Sequence, residues 1–318
     1  MMSVNRWGIA CFLSCLPLAN VLAEASSDAV KHLLEKAIVS ARTLNYEGTF
    51  VYSHDDAIDT LRVIHKHDET GEHERLISLT GRSNEVIRQQ DHVQYRFADK
   101  EAYGAYMAED DAQRLVAHLA AKYDQLTALY EFHVFNGQRI AGKDTQGFLI
   151  QPRDHFRYGY QLWLDDDTGL VLKSQLLGET GPVETLMFTE IQYRQFIPEE
   201  MVRIDSKILT LAKQVMMQEL TARWEPSWLP QGFRIARAVQ RRENSQRLVL
   251  SDGMSMVSIF IEPFNKQTAP KHRFAHQGFA NNGATNGYTL VNGDHRITAV
   301  GEVPSTTVQR IAQSFTAH

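Results

Sequence analysis

Two histidine pairs are the residues of this sequence whose spacing best suits metal chemistry. His65 and His67 lie two positions apart on one face of a predicted strand, and His272 and His276 lie four apart. Either pair could supply two ligands, but a protein metal site needs a third ligand and hydrogen-bonded support around all of them. A chain with 13 histidines contains such pairs by chance. We therefore interpret them as surface or strand-packing residues and predict no metal and no cofactor.

Three consecutive carboxylates at residues 165–167 are the second feature that suggests a cation site. Calcium loops of the EF-hand type alternate their ligands and close with a glutamate at position twelve, which this run does not do. Because the run lies between two apolar stretches, it predicts a solvated hairpin turn. The sequence also lacks the glycine-rich phosphate loops, the nucleophile elbow and the zinc-protease helix motif. No catalytic residues are predicted, and the protein is not expected to be an enzyme.

Aromatic residues recur at alternating positions of the predicted strands, so that several share a strand face. They are Tyr46, Phe50, Tyr52, Tyr95, Phe97 and Trp163. Such a set could line a cavity for acyl chains, or it could be an ordinary hydrophobic core. These six residues are candidates for the lining of a lipid groove.

The last third of the chain combines large aromatic residues with arginines, a composition typical of protein interfaces. Guanidinium groups pair bidentately with phosphates and carboxylates, although these arginines could equally form a solvated surface. The candidates for a partner or domain interface are Trp224, Trp228, Phe233, Arg234, Arg237, Arg241 and Arg242. Because the whole chain has a formal net charge of -5, nucleic acid is not expected as a partner.

Length and charge both indicate two domains. A chain of 318 residues exceeds the usual size of one domain. Residues 24–221 carry 21 Lys and Arg against 32 Asp and Glu, whereas residues 222–318 carry 11 against 6. This change of sign fits a boundary near residue 221. We predict a large domain at residues 24–200, a linker at 201–222 and a small domain at 223–318.

Residues 1–23 have the pattern of a secretory signal. Arg6 supplies the positive charge, residues 8–16 form a short apolar stretch, and residues 21–23 form a cleavage site that places the cut after Ala23. The apolar stretch is too short for a membrane helix. Cys11 and Cys15 leave a lipoprotein signal as the alternative, but no convincing lipidation triplet precedes either residue. Cleavage would remove both cysteines, leaving a mature chain without disulfides.

Hydrophobic periodicity predicts an α+β first domain. A three-and-four spacing indicates helices at residues 27–44 and 112–129. Strands are predicted at residues 46–52, 61–67, 74–79, 85–89, 93–97, 158–164, 170–177 and 183–193. Short strands joined by polar turns indicate an antiparallel meander, and a curved sheet with helices on its concave side would leave a groove.

The same reasoning predicts a smaller α+β second domain. An amphipathic segment at residues 201–220 leads into a turn-rich stretch at 224–233. Strands are predicted at residues 234–240, 246–251, 254–262, 288–291 and 295–302, with a Gly/Asn-rich loop at 277–287 and a final helix from residue 304.

Several segments, in order, resemble the RseB/MucB family of periplasmic sigma-E regulatory proteins. They are residues 44–52 (LNYEGTFVY), 74–76, 85–88, 163–165, 168–173, 228–233 (WLPQGF), 251–253 and 300–304. The resemblance covers nearly all of the mature chain, and residues 228–233 are its most specific part. Residues 79–83 depart from it, since an Asp-Gly-Pro-like turn is expected there.

The resemblance implies a fold and a function that the residues alone do not establish. The large domain would be a half-open β-barrel with helices in its mouth, similar to the LolA and LppX lipoprotein carriers. The protein would bind the periplasmic region of an RseA/MucA-like membrane anti-sigma factor and shield it from site-one proteolysis. Lipopolysaccharide or the acyl chains of lipoproteins would release it. The alternative is a periplasmic lipid or lipoprotein carrier without an anti-sigma partner, and a homodimer remains open.

Overall fold

The structure is a computed structural model, described for residues 23–24, 27–89, 92–97, 119, 122–203, 224–242, 245–264 and 277–315. The side chains of residues 92–97 and 240–242 fall outside that description. The description also leaves out the predicted signal up to residue 22, half of the predicted helix at 112–129 and most of the predicted linker at 201–222.

Helix α1 (Ser27–Thr43) confirms the helix predicted at residues 27–44. Its spacing of four and three buries Val30, Leu34 and Ala37 along one side. Asp28 in the first turn and Arg42 in the last turn complement the helix dipole. Helix α2, described at residues 122–126, packs Leu126 into the same cluster as α1. No helix among the described residues is long and apolar enough to cross a membrane.

Eleven strands form a first, antiparallel sheet. They are β1 (Ala23–Glu24), β2 (Tyr46–His54), β3 (Ala57–Asp68), β4 (Gly71–Ser78), β5 (Asn84–Gln89), β6 (His92–Phe97), β7 (Tyr130–Asn136), β8 (Thr145–Pro152), β9 (Gly159–Asp165), β10 (Val171–Gly178) and β11 (Gly181–Tyr193). Their order is β1-β7-β8-β9-β10-β11-β2-β3-β4-β5-β6. The predicted meander is thus present as two meanders joined where β11 pairs with β2. The order has two ends, so the sheet is open.

The second sheet has six strands, and one helix packs against it. The strands are β12 (Arg234–Arg242), β13 (Ser245–Ser251), β14 (Met256–Pro263), β15 (Gly278–Asn282), β16 (Thr285–Asn292) and β17 (His295–Gly301), in the order β12-β13-β14-β17-β16-β15. Helix α3 (Ser305–Ser314) follows Pro304, as predicted, and covers the sheet with Val308, Ile311 and Ala312, all fully buried. Short 3-10 helix η1 (Glu199–Met201) follows the first sheet.

The prediction of a loop at residues 277–287 is wrong. The structure forms a hairpin there, in which β15 pairs with β16 and Gly283 supplies a positive φ of 59° at the turn. Asn281 donates a hydrogen bond across the hairpin to Asn286 at 3.1 Å. Strand β15 is the edge of the sheet and is largely exposed, so its glycine and asparagine residues face water. A polar exposed edge strand therefore has the composition of a loop.

Candidate functional site

The face of the first sheet that packs against α1 is called the inner face here. Leu162 of β9 belongs to the cluster that includes Val30 and Leu34 of α1. Cross-strand neighbours share a face, and one row of them runs from Leu162 to Tyr52. That row is Leu162, Ser174, Leu186 and Tyr52. Phe50, two positions from Tyr52, points to the inner face as well.

Two of the predicted groove residues, Tyr46 and Phe50, are packed together with Phe188. The Phe50 and Phe188 ring centroids lie 5.5 Å apart, and those of Tyr46 and Phe188 lie 6.3 Å apart, edge to face. Tyr46 is 0 % exposed and Phe50 is 1 % exposed. The two rings thus belong to a continuous apolar cluster on β2 and its neighbours. Whether they also line a lipid cavity stays a prediction.

The other groove candidates do not all join this cluster in the same way. Tyr52 is half-buried and stacks on His54 at 4.6 Å. Tyr95 and Phe97 lie in β6 opposite Val86 and Asn84, but their side chains fall outside the described residues. The last candidate faces away from the inner face.

Trp163 alternates with Leu162 and Leu164 on β9, so its side chain lies on the opposite face of the sheet from Tyr52. Its ring meets Phe135 edge-on at 5.9 Å, and the Lys173 ammonium lies 4.1 Å from its centroid. Trp163 nevertheless belongs to the same cluster of buried apolar side chains as Tyr46 and Phe50.

His65 is a hydrogen-bonded, fully buried histidine on the inner face. Its Nδ1 lies 2.7 Å from the carbonyl oxygen of Leu44, its Nε2 lies 3.2 Å from a carboxylate oxygen of Glu72, and its ring stacks on Tyr46 at 5.1 Å. Both neighbours are acceptors, so both ring nitrogens donate when the imidazole is protonated. Burial lowers the pKa of His65, but these bonds and the nearby charge of Glu74 outweigh it and the pKa is raised.

This raised pKa predicts a stability that declines towards alkaline pH. The contribution of His65 is fully present below the unfolded-state pKa of about 6.5 and is lost as the pH rises through the higher folded-state pKa. Urea unfolding between pH 5 and pH 9 should show this decline in the wild type and a flatter profile in His65→Gln. His67→Gln, an exposed histidine on the same strand, should keep the wild-type slope. Equal slopes in all three proteins would contradict the assignment.

The histidine and aspartate clusters do not form metal sites in the described part of the chain, where no group of three potential ligands converges. His272 and His276 lie outside it. The hairpin turn predicted at 165–167 is present between β9 and β10; Asp166 and Asp167 are exposed, whereas Asp165 is only 2 % exposed. Its carboxylate accepts main-chain bonds from Asp167 and Thr168 and a hydroxyl bond from Tyr193 at 2.6 Å. Asp165 therefore holds the turn in shape.

The connection between β8 and β9, residues 153–158, contacts the second sheet. Arg157 is central to it and has a side chain that is 0 % exposed. Its guanidinium donates to Asp252 at 2.5 Å, to Asp154 at 2.8 and 3.0 Å, and to the carbonyl oxygen of Gln231 at 2.7 Å. Burial lowers the pKa of Arg157, but the bond with Asp154 and the charge of Asp252 outweigh burial. The pKa is therefore raised, and the group stays charged.

Asp252, the partner of Arg157 in the second sheet, is equally enclosed. Its side chain is 0 % exposed, and it accepts a second side-chain bond from the hydroxyl of Tyr130 at 3.0 Å. Main-chain N–H groups of Met254 and Ser255 satisfy its other oxygen. Burial first, and then the charge of Asp252, raise the pKa of Tyr130 well above its usual value. The tyrosine therefore remains a donor to the buried carboxylate.

The WLPQGF motif adds aromatic contacts around this ion pair. The Trp228 ring meets Phe156 edge to face at 5.1 Å and lies under the Arg310 guanidinium at 3.9 Å. Phe233, which is 7 % exposed, lies 5.2 Å from the Arg157 guanidinium. Trp224 instead contacts His295 within the second sheet, at 4.9 Å.

The conformation and surroundings of Gly232 explain why the WLPQGF motif has a glycine at this position. Phe233 N–H donates to the carbonyl oxygen of Pro230, closing a turn in which Gly232 has a φ of +82°. A Cβ at this position would also lie 2.5 Å from a methyl group of Leu129 in the first domain. Glycine is therefore needed both for the turn and for the close approach of the two domains.

A second contact joins the hairpin ends of the two sheets. Asp55, between β2 and β3, accepts the main-chain N–H of Gly283 at 2.8 Å, and Glu184 of β11 accepts that of Ala284 at 2.8 Å. Nearby, the amide of Asn286 donates to the Tyr158 hydroxyl at 3.0 Å. Tyr158 also packs with Ala284 in one buried cluster, so this contact is continuous with the one around Arg157.

The predicted arginines lie on edge strand β12. Arg234 and Arg237 are exposed, and the side chains of Arg241 and Arg242 fall outside the described residues. Sequence reasoning missed Arg157, Asp55 and Glu184, which carry no local pattern. Asp252 lies in the quoted 251–253 segment, although its ionic role was not predicted.

Two family models together match residues 29–316: the MucB/RseB N-terminal domain at 29–219 and the MucB/RseB C-terminal domain at 218–316. The chain belongs to the MucB/RseB family. The sigma factor AlgU regulatory protein MucB of Pseudomonas aeruginosa is 30 % identical over 302 residues, covering 89 % of each chain. The sigma-E factor regulatory protein RseB of Escherichia coli K12 is 26 % identical over 319 residues, covering 95 % of this chain and 94 % of the relative.

Solved structures of a MucB/RseB relative show the same fold. The Pseudomonas aeruginosa MucA/MucB complex contains a chain that superposes with a TM-score of 0.72 at 28 % identity, covering 91 % of this chain and 99 % of that one. A crystal structure of MucB superposes with a TM-score of 0.59 at 27 % identity, covering 92 % of this chain and 99 % of that one. Identity and coverage are nearly equal in these two comparisons, whereas the superposition differs.

Proposed function

We propose that this protein is a periplasmic negative regulator of a sigma-E-type envelope stress response that binds the periplasmic region of a MucA-like anti-sigma factor. The observation that carries the proposal is family membership over both domains, together with a solved complex of the relative MucB with MucA. Bound in this way, the protein shields the anti-sigma factor from site-one proteolysis.

Lipid is the proposed releasing signal. The inner face of the first sheet carries an apolar cluster that includes Tyr46 and Phe50, and the sheet is open at both ends. A half-open barrel closed by the helices would offer acyl chains of lipopolysaccharide or lipoproteins a place in this cluster. The exposed arginines of β12, Arg234 and Arg237, suit an acidic peptide or lipid phosphates.

The test is titration calorimetry of the mature chain, from Glu24, against the periplasmic segment of the MucA-like protein from the same genome. We expect sub-micromolar binding, weakened at least tenfold by saturating lipopolysaccharide, since a ligand must favour one state by several kcal/mol to reverse occupancy. A scrambled segment of equal composition is the control. Absence of binding with and without lipopolysaccharide would refute regulation and favour a lipid carrier, especially if lipid co-purifies.

A further inference from the structure

The two edge strands of the second sheet differ in how well they are protected against pairing with a further strand. Proteins usually block an exposed edge with charges, proline or bulges. Edge strand β12 has such features, because it carries four arginines and its register with β13 shifts at two places. Edge strand β15 has the sequence GFANN, without charge or proline, and its register with β16 is continuous. Strand β15 is thus the unprotected edge.

The turn that follows β15 shows which main-chain groups of the strand point away from β16. Gly283 is the first residue of a two-residue loop and has a φ of 59°, as in a type II′ turn. The residues that flank such a loop, Asn282 and Thr285, form a hydrogen-bonded pair, and such pairs alternate along an antiparallel ladder. Asn281 and Phe279 therefore direct their N–H and C=O groups outwards, where no other described strand lies.

An apolar side chain lies at this edge. Phe279 is 46 % exposed, although its ring packs against that of Tyr288 at 4.7 Å and Tyr288 is only 2 % exposed. The ring thus extends the buried face of the sheet out to its edge. Ala280, Asn281 and Asn282 are exposed as well. An uncharged strand with free main-chain groups and an exposed ring suits the addition of another extended strand.

We propose that β15 is a self-association surface, on which β15 of a second copy pairs antiparallel about a two-fold axis at Ala280. Phe279 of each copy then lies opposite Asn281 of the other. Each of these pairs exchanges both N–H···O bonds, because these residues have the outward main-chain groups. The two Phe279 rings become diagonal neighbours on one face, within reach of each other. This pairing does not rest on the function proposed above.

The distribution of charge favours β15 over β12 as the self-pairing edge. Two β12 strands would bring arginines of one copy beside those of the other, whereas β15 brings no charges together. The carboxylates of Asp55 and Glu184 lie at the turn end of β15, bonded to Gly283 and Ala284. Antiparallel pairing places the two turns at opposite ends, so these carboxylates stay apart. Each copy contributes a strand of only five residues, so the dimer should be weak and concentration-dependent.

The first experiment is sedimentation equilibrium of the mature chain from Glu24, between about 10 μM and about 1 mM, which measures the dimer dissociation constant. Ala280→Lys places two ammonium groups opposite each other at the axis and should raise this constant about fivefold. Ala236→Lys is the matched control, because it makes the same change at an exposed position of β12. It should alter the constant by less than about twofold.

A disulfide tests the position of the axis. The mature chain has no cysteine, so Ala280→Cys introduces a single thiol. Residues opposite each other in a non-hydrogen-bonded antiparallel pair have Cα atoms about 4.5 Å apart, which a disulfide can bridge. We expect oxidation to link Ala280→Cys into a covalent dimer and to leave Ala236→Cys monomeric.

Three outcomes would overturn the proposal. They are a wild type that stays monomeric over the whole concentration range, a dimer that Ala280→Lys does not weaken, and equal cross-linking of the two cysteine variants. The second outcome would mean that another surface joins the copies. Circular dichroism checks that each variant folds. The small change Ala280→Cys keeps the proposal testable if Ala280→Lys does not fold.

Discussion

Replacing Arg157 with leucine is expected to lower the free energy of unfolding by about 3–5 kcal/mol, because Asp252 would remain as a buried charge without its partner. The Gln231 carbonyl and the Asp154 carboxylate would lose donors at the same time. Urea unfolding followed by both far-ultraviolet circular dichroism and tryptophan fluorescence measures this loss. Two probes are needed because a two-domain chain need not unfold in one step.

Arg153→Leu is the matched control for this prediction. Arg153 lies in the same connection and bonds Glu131 at 2.6 Å, but the two side chains are 49 % and 44 % exposed. An exposed ion pair contributes about 0–1 kcal/mol, so this variant should stay close to the wild type. Similar losses for Arg153→Leu and Arg157→Leu would contradict the special role of the buried pair. Adding Asp252→Leu to Arg157→Leu should recover part of the loss by removing the uncompensated charge.

Phe50→Ala is expected to cost about 3–5 kcal/mol of unfolding free energy, the usual loss for a fully buried phenylalanine. Phe50 is 1 % exposed and its ring packs against Phe188, so truncation opens a cavity in the cluster on the inner face. Thermal and urea unfolding measure the change. Ile58→Ala removes apolar atoms at a position on β3 that is 68 % exposed, and it should change stability by less than about 0.5 kcal/mol.

The size of the Phe50 effect also separates two interpretations of the aromatic residues. A loss of several kcal/mol means that Phe50 is packed core even without lipid. A loss below about 1 kcal/mol would contradict that and indicate a ring that borders an open cavity, since little packing would then be lost.

Periodicity was sufficient to predict most elements of this fold. Helix α1 and strands such as β2 and β9 carry long, regular patterns that bury one face, and the structure places them within a few residues of the predicted bounds. The hairpin of β15 and β16 was missed because an exposed edge strand buries little, so hydrophobic alternation is weak there. No bounds were predicted for β7 and β8 either, although both strands bury apolar residues, so weak burial explains only the first omission.

The contact between the sheets was predictable only in part. The WLPQGF motif was expected at an interface, and Trp228 and Phe233 do meet Phe156 and Arg157. Arg157 itself could not be identified, because its partner Asp252 lies 95 positions away and no spacing relates them. His65 was noticed as a possible ligand, whereas its actual bonds depend on a carbonyl 21 positions away. Long-range polar contacts of this kind follow from the tertiary fold rather than from local pattern.

The seam between β2 and β11 has a consequence for how the chain folds. Apart from β1, which pairs with β7, neighbouring strands within each meander follow one another in the sequence, so they can pair locally and early. The seam joins residues such as Thr49 and Thr189, which lie 140 positions apart. Closing a loop of that length costs about 4 kcal/mol of chain entropy before any seam bond forms. We therefore expect the seam to form last, which leaves the edges of β2 and β11 exposed to misfolding and aggregation until the first domain is complete.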